Sequence, residues 1–216
     1  MKWFISFCTL FTLIYLTNCQ SPANMQKQYV QINKDVMENK EVAILAGGCF
    51  WCVEAPFQLL EGVDTVISGY LGGQIPNPTY AQICTGNTGH AEAVMITYNP
   101  QVITYDELLE VFFQLHDPTQ FNRQGNDIGT QYRSAIFPAN EQQEQKARYY
   151  IEELNKEKAF EKPIVTTIEF TDIFYPAEDY HQNYYNLNGE EMYCQLVARP
   201  KVDKIKKVFA DKLKKN

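Results

Sequence analysis

A chain of 216 residues, 45% hydrophobic and 21% charged, has room for one domain with a sizeable core plus tails, and is tight for two. A formal net charge of -7 and an isoelectric point near 5.0 argue against a nucleic-acid partner, because phosphate binding needs a concentrated basic surface. The chain carries neither an internal repeat nor a low-complexity tract, so solenoid and disordered classes are set aside.

Lys2 precedes an apolar run over residues 3–16, and Thr17-Asn18-Cys19 follows. This pattern predicts an export signal over residues 1–18, too short for a comfortable membrane span. Leu16-Thr17-Asn18-Cys19 resembles a bacterial lipoprotein processing site, with Asn18 in place of the usual small residue. On that reading Cys19 is lipidated, residues 19–40 are a polar tether, and the protein sits in the bacterial cell envelope, touching membrane only through its anchor. Cys49, Cys52, Cys84 and Cys194 then remain as thiols in a compartment where disulfides persist.

Residues 42–45 read as a short buried strand. After Gly47-Gly48, the apolar residues Phe50, Val53, Phe57, Leu59 and Leu60 recur at roughly helical spacing. Cys49 therefore falls in a helix's first turn, where unpaired N–H groups and the dipole favour a thiolate and lower its pKa. Cysteine is also among the most buried residue types, and an isolated Gly-Cys-Phe more often means packing. The two glycines and the dithiol spacing of Cys49-Phe50-Trp51-Cys52 favour chemistry.

A strand over 63–70 ends at Gly72-Gly73, and a turn-rich loop through Pro76, Cys84 and His90 follows that is unlike a packed helix. Cys84 is expected there as a packed thiol. Residues 91–98 alternate as a strand. Thr104 and Glu107 form a capping box for a helix whose apolar face is Leu108, Leu109, Phe112, Phe113 and Leu115. A polar loop from His116 leads to a strand over 135–137. Asn140 opens a polar helix, with Gln143 at the capping-box position, reaching about Phe160. A last strand over 164–170, an aromatic segment over 174–185, and a basic amphipathic helix within 201–216 complete the chain. The irregular interleaving predicts a single two-layer α+β domain built on a mixed sheet, spanning residues 41–200, and disfavours a doubly wound sheet. Its three glycine-rich loops could converge over one sheet edge.

Five blocks in order then carry a resemblance: Gly47-Gly48-Cys49-Phe50-Trp51; Gly69-Tyr70-Leu71-Gly72-Gly73; Pro76-Asn77-Pro78-Thr79-Tyr80; Gly89-His90-Ala91-Glu92-Ala93-Val94; and residues 124–134, from Gln124 to Ser134. Together they resemble peptide methionine sulfoxide reductase of the A type. The resemblance implies reduction of the S-epimer of methionine sulfoxide, free or in proteins, without cofactor or metal. It implies Cys49 as nucleophile, Glu92 as proton donor, Tyr80 and Tyr132 as hydroxyls on the sulfoxide oxygen, Asp127 as a supporting polar group, and Phe50 with Trp51 as the wall for the S-methyl group. Cys194 matches the place of a resolving cysteine, with Cys52 as its rival. A disulfide inside one helical turn is geometrically costly, so Cys194 ranks first. Thioredoxin or a thioredoxin-like reductant would then recycle the enzyme.

Plainer readings stand beside these. Strand glutamates usually face solvent, Tyr80 and Tyr132 are two of fourteen tyrosines, and His90, His116 and His181 fit structural hydrogen bonding better than metal ligation. Two other functions remain open at this point: a general thiol-disulfide oxidoreductase using Cys49 and Cys52, and a non-catalytic envelope lipoprotein that binds peptides.

Overall fold

A computed structural model describes residues 30, 31 and 39–215. The predicted leader, Cys19 and most of the tether lie outside the described residues. The chain runs β1 (Val30–Gln31), β2 (Glu41–Gly47), α1 (Phe50–Gln58), β3 (Val63–Leu71), α2 (Tyr80–Ile83), β4 (Ala91–Tyr98), α3 (Tyr105–Leu115), β5 (Arg123–Gln124), β6 (Asp127–Ile128), β7 (Ser134–Phe137), α4 (Glu141–Lys156), β8 (Thr167–Ile168), β9 (Ile173–Pro176), α5 (Tyr184–Leu187) and α6 (Arg199–Val208). Seven strands form one sheet in the order β1-β9-β3-β4-β2-β7-β8, and β5 with β6 forms a separate hairpin. The sheet is mixed, as expected: among the described residues only the β7–β8 pairing is parallel.

Strand alternation divides the core into two layers of side chains. Ala43 and Leu45 of β2, with Val94, Ile96 and Tyr98 of β4, pack among α1, α3 and α6, while Ile44, Ala46, Ala91, Ala93 and Met95 form the opposite cluster. This parity decides where Glu92 goes. Its side chain shares the face of Val94 and Ile96, toward α1, and not the solvent face usual for a strand glutamate.

The helices start where the caps predict. Thr104 Oγ1 accepts from Glu107 N, and Glu107 reaches back to Thr104 N. Asn140 Oδ1 accepts from Gln143 N (2.9 Å), but the Gln143 amide accepts from Ala139 N and donates to Val42 O, tying α4 to β2. Three expectations need correction. The strand over 164–170 shrinks to Thr167–Ile168, which pairs β7. The loop before His90 contains the short helix α2, started by the Thr79–Gln82 capping box. The basic helix begins earlier, at Arg199, continuing a π-helical turn over Cys194–Ala198. Its apolar residues Val202, Ile205 and Phe209 are buried. The chain end is pinned to the end of α1 by Glu61 N to Lys212 O (2.8 Å) and Lys214 N to Leu59 O (2.9 Å).

Candidate active site

The site is built around the turn from β2 into α1. Gly48 adopts φ +96°, and a Cβ there would lie 2.7 Å from the Gln124 Cβ, so conformation and space both require glycine. Cys49 follows as the N-cap of α1, with φ -56° and ψ 126°, one residue before the helix and not inside its first turn. Cys52 N donates to Cys49 O (3.0 Å), folding the two cysteines over the same helix end. The two thiols hydrogen-bond each other.

Glu92 reaches this helix end from β4. Its Oε2 accepts from Phe50 N (3.1 Å), satisfying one orphan donor of α1. The residue is 1% exposed, and burial pushes its carboxyl up to about 8, with the charge of Asp127 adding. At neutral pH it holds a proton.

Cys49 departs from expectation. It is 7% exposed, and burial drives its thiol well above the ordinary cysteine range, with the Cys52 hydrogen bond and the Glu92 charge adding. A helix N-terminus is worth about 0.3–1 kcal/mol, less than one pKa unit. Full burial moves a group by up to about 3–5 units, so desolvation wins. Cys52 moves down instead, because the Cys49 thiol donates a hydrogen bond to it.

The supporting groups come from three loops. Tyr80 opens α2, its N–H held by Glu178 Oε1 (3.0 Å). Tyr132 ends a 3-10 turn over Thr130–Tyr132. Burial pushes both hydroxyls above the usual tyrosine range and the Glu92 charge is the next cause in each, so both remain donors beside Glu92. Asp127, on the β5–β6 hairpin, accepts from the Tyr193 hydroxyl (2.7 Å). Phe50 is buried against Tyr70 and His181, with ring centroids 5.8 and 5.1 Å away. Trp51 is half-buried, stacked on Tyr184 at 3.7 Å and 9° and met edge-on by Tyr193 at 5.8 Å.

The remaining cysteines separate. Cys84 caps the end of α2, exposed and hydrogen-bonded to Tyr80, which corrects its reading as a packed thiol. Cys194 is 0% exposed, and its thiol is pushed up by burial and then by the charges of Cys52 and Glu191. Cys52 is thus the thiol brought against Cys49. The objection to a disulfide within one helical turn loses its force because the extended ψ of Cys49 places it outside the helix.

The histidines bond within the fold. Gly73 N donates to His90 Nδ1 (3.1 Å) and His90 Nε2 donates to Ile75 O (2.8 Å). His116 Nδ1 donates to Phe112 O (2.8 Å), and its Nε2 accepts from Ser134 Oγ (2.7 Å). His181 packs between the rings of Phe50, Trp51, Tyr80 and Tyr180.

Three residues of the site escape a sequence reading. Tyr193 also accepts from Cys52 Sγ (3.7 Å), joining the thiols to Asp127. Tyr184 covers one face of Trp51. Glu54, buried on α1 and pushed up to about 7 by burial, accepts from Asn183 N (2.9 Å) and fixes the segment that carries Tyr184. The only advance signal for Tyr193 was its place beside a cysteine.

A dithiol at a helix start, a protonated buried carboxyl and converging hydroxyls on an α+β scaffold define a thiol-based oxidoreductase. The family described as peptide methionine sulfoxide reductase matches residues 41–213, which takes in α6 and every strand of the sheet but β1. The chain belongs to that family and reduces methionine sulfoxide in peptides. It is 57% identical over 175 residues to peptide methionine sulfoxide reductase MsrA of Deinococcus radiodurans, covering 81% of this chain and 85% of that protein. It is 55% identical over 170 residues to the MsrA of Chromobacterium violaceum, covering 79% and 97%. Among solved structures, reduced Mxr1 from Saccharomyces cerevisiae superposes with a TM-score of 0.67 at 36% identity, covering 74% of this chain and 91% of that one. Methionine sulfoxide reductase A of Corynebacterium diphtheriae gives 0.64 at 38% identity, covering 73% and 78%.

Proposed function

We propose that this chain reduces the S-epimer of methionine sulfoxide in envelope proteins, with Cys49 as nucleophile and Glu92 as proton donor. The Cys49 sulfur attacks the sulfoxide sulfur while the Glu92 carboxyl protonates the oxygen. Oxygen passes to Cys49, methionine leaves, and Cys49 remains as a sulfenic acid while the thiol's own proton restores Glu92. Tyr80 and Tyr132 donate to the oxygen as negative charge grows on it. Phe50 and Trp51 seat the methyl group, and three fixed points, methyl, oxygen and attacking sulfur, set the handedness.

Cys52 then attacks the sulfenic acid, water leaves, and a Cys49–Cys52 disulfide forms. Cys194, which feels the charge of Cys52, is the second thiol to receive that disulfide. The final product is a disulfide, so the reductant is a dithiol donor of the thioredoxin class. The observation that carries this reading is Glu92: a fully buried carboxyl that is protonated at neutral pH and bonded to the residue after the nucleophile.

Turnover of separate S- and R-epimers of a methionine sulfoxide peptide with dithiothreitol tests it. Reduction of the S-epimer alone, abolished in Cys49→Ser, is the expected outcome. A wild type that leaves both epimers intact yet reduces protein disulfides would sink it. Supporting export and anchoring is the pattern of Lys2, the apolar run and Cys19. Palmitate labelling that persists in Cys19→Ser would refute the anchor.

A further inference from the structure

We propose that Tyr193 and Asp127 form the proton relay that ionises Cys52 for its attack on oxidised Cys49, making Tyr193 a catalytic residue of the recycling step. The inference rests on Cys52 as the resolving thiol.

The chain of contacts is continuous. Cys52 Sγ–H donates to the Tyr193 hydroxyl (3.7 Å), and that hydroxyl donates to Asp127 Oδ2 (2.7 Å). In the reduced protein the Cys49 thiol donates to Cys52, and this bond favours the Cys52 thiolate. Once Cys49 carries oxygen, it no longer has a thiol proton to give. Cys52 then loses the hydrogen bond that stabilised its charge, at the moment when a thiolate is needed. The Lys201 charge and the Tyr193 hydroxyl still favour its thiolate, and the hydroxyl is the one in hydrogen-bond contact, with Asp127 behind it.

The step balances. The Cys52 proton moves to the Tyr193 oxygen as the Tyr193 proton moves to Asp127. The Cys52 sulfur attacks the Cys49 sulfur, the S–O bond breaks, and the leaving hydroxide takes a proton from Glu92. The products are the disulfide and one water. Asp127 then returns its proton to Glu92 through solvent.

The ring of Tyr193 is held in place independently of its hydroxyl, edge-on to Trp51. Tyr193→Phe therefore removes the relay and keeps the packing. The experiment is single-turnover mixing of fully reduced enzyme with a sulfoxide peptide in the absence of reductant. Methionine release reports the first step, and loss of free thiol together with dimedone trapping of sulfenic acid reports the second.

In Tyr193→Phe the ratio of the second rate to the first is expected to fall by about 100-fold, within the range of general-base contributions. Dimedone-labelled Cys49 should accumulate. Asp127→Asn should lower the same ratio. An unchanged ratio in both variants overturns the relay while leaving Cys52 as resolver. A Cys52→Ser protein that forms its intramolecular disulfide at the wild-type rate removes Cys52 from the step and the proposal with it.

Discussion

Replacing Glu92 by glutamine should make the protein more stable and nearly inactive. The carboxyl is fully buried and pushed from 4.5 up to about 8, and glutamine has the same shape with an amide oxygen able to accept from Phe50 N. The folded protein holds this proton more tightly than the unfolded chain. Stability is therefore lost as pH rises from the unfolded carboxyl range toward 8. The loss amounts to about 1.4 kcal/mol per pH unit in that interval. Relative to wild type, Glu92→Gln removes a penalty of about 1 kcal/mol at pH 5, about 3 kcal/mol at pH 7 and about 4 kcal/mol at pH 8. Urea unfolding of the two proteins at these three pH values measures the difference directly, and the contribution of the other buried carboxyl, Glu54, cancels between them. Activity should move the opposite way. An amide cannot protonate the sulfoxide oxygen, and loss of general acid catalysis costs about 100-fold or more in kcat/KM. The wild-type rate should also fall above pH 8 as the carboxyl ionises, a limb that the variant lacks. A stability difference that stays flat or shrinks from pH 5 to 8 would refute the buried, protonated Glu92 on which the chemistry depends.

Tyr80→Phe and Tyr132→Phe should each lower kcat/KM by about 10- to 100-fold, the worth of one hydrogen bond to a charged oxygen, as read in the same peptide assay. Timed alkylation of the reduced protein followed by mass spectrometry should label Cys84 before Cys49, Cys52 and Cys194, which are buried; earlier labelling of Cys194 would contradict the packing of the C-terminal segment. Glu54→Ala strands the Asn183 N–H without its acceptor, and at pH 4, where the Glu54 carboxyl is protonated in folded and unfolded chains alike, should cost about 1–3 kcal/mol in urea unfolding while lowering the proteolytic resistance of residues 183–188.

Much of the scaffold was readable because its elements are long and regular. The strand expected over 91–98 is observed as Ala91–Tyr98, the Thr104–Glu107 capping box locates α3, and the Asn140 N-cap locates α4. What stayed hidden is short or depends on packing. The strands β5, β6 and β8 have two residues each, too few to show a period. The β9 strand lies in an aromatic segment whose composition says nothing of pairing. The Cys49 environment is hidden for a physical reason: helix position is local and visible in sequence, whereas burial is a property of the whole fold, and here it outweighs the helix end. The pairing of Cys52 with Cys49 is not legible from helical spacing, because the N-cap backbone of Cys49 is extended.

The raised thiol pKa at Cys49 looks unsuited to a nucleophile, yet it follows from what the site must hold together. Attack on a sulfoxide needs a nucleophilic sulfur and a proton donor within one small volume, and a charge on either raises the pKa of the other. Ionised Glu92 is among the causes that raise Cys49, and ionised Cys52 is among those that raise Glu92. The dithiol and the carboxyl therefore resist being ionised together. With one negative charge on the thiol pair, Glu92 is held more firmly protonated, which is the state in which it can donate. The Cys49–Cys52 hydrogen bond spreads that charge over two sulfurs, so it is available for attack without a free thiolate exposed to solvent oxidants. Burial that costs the resting nucleophile some of its ionisation thus keeps the acid charged with its proton.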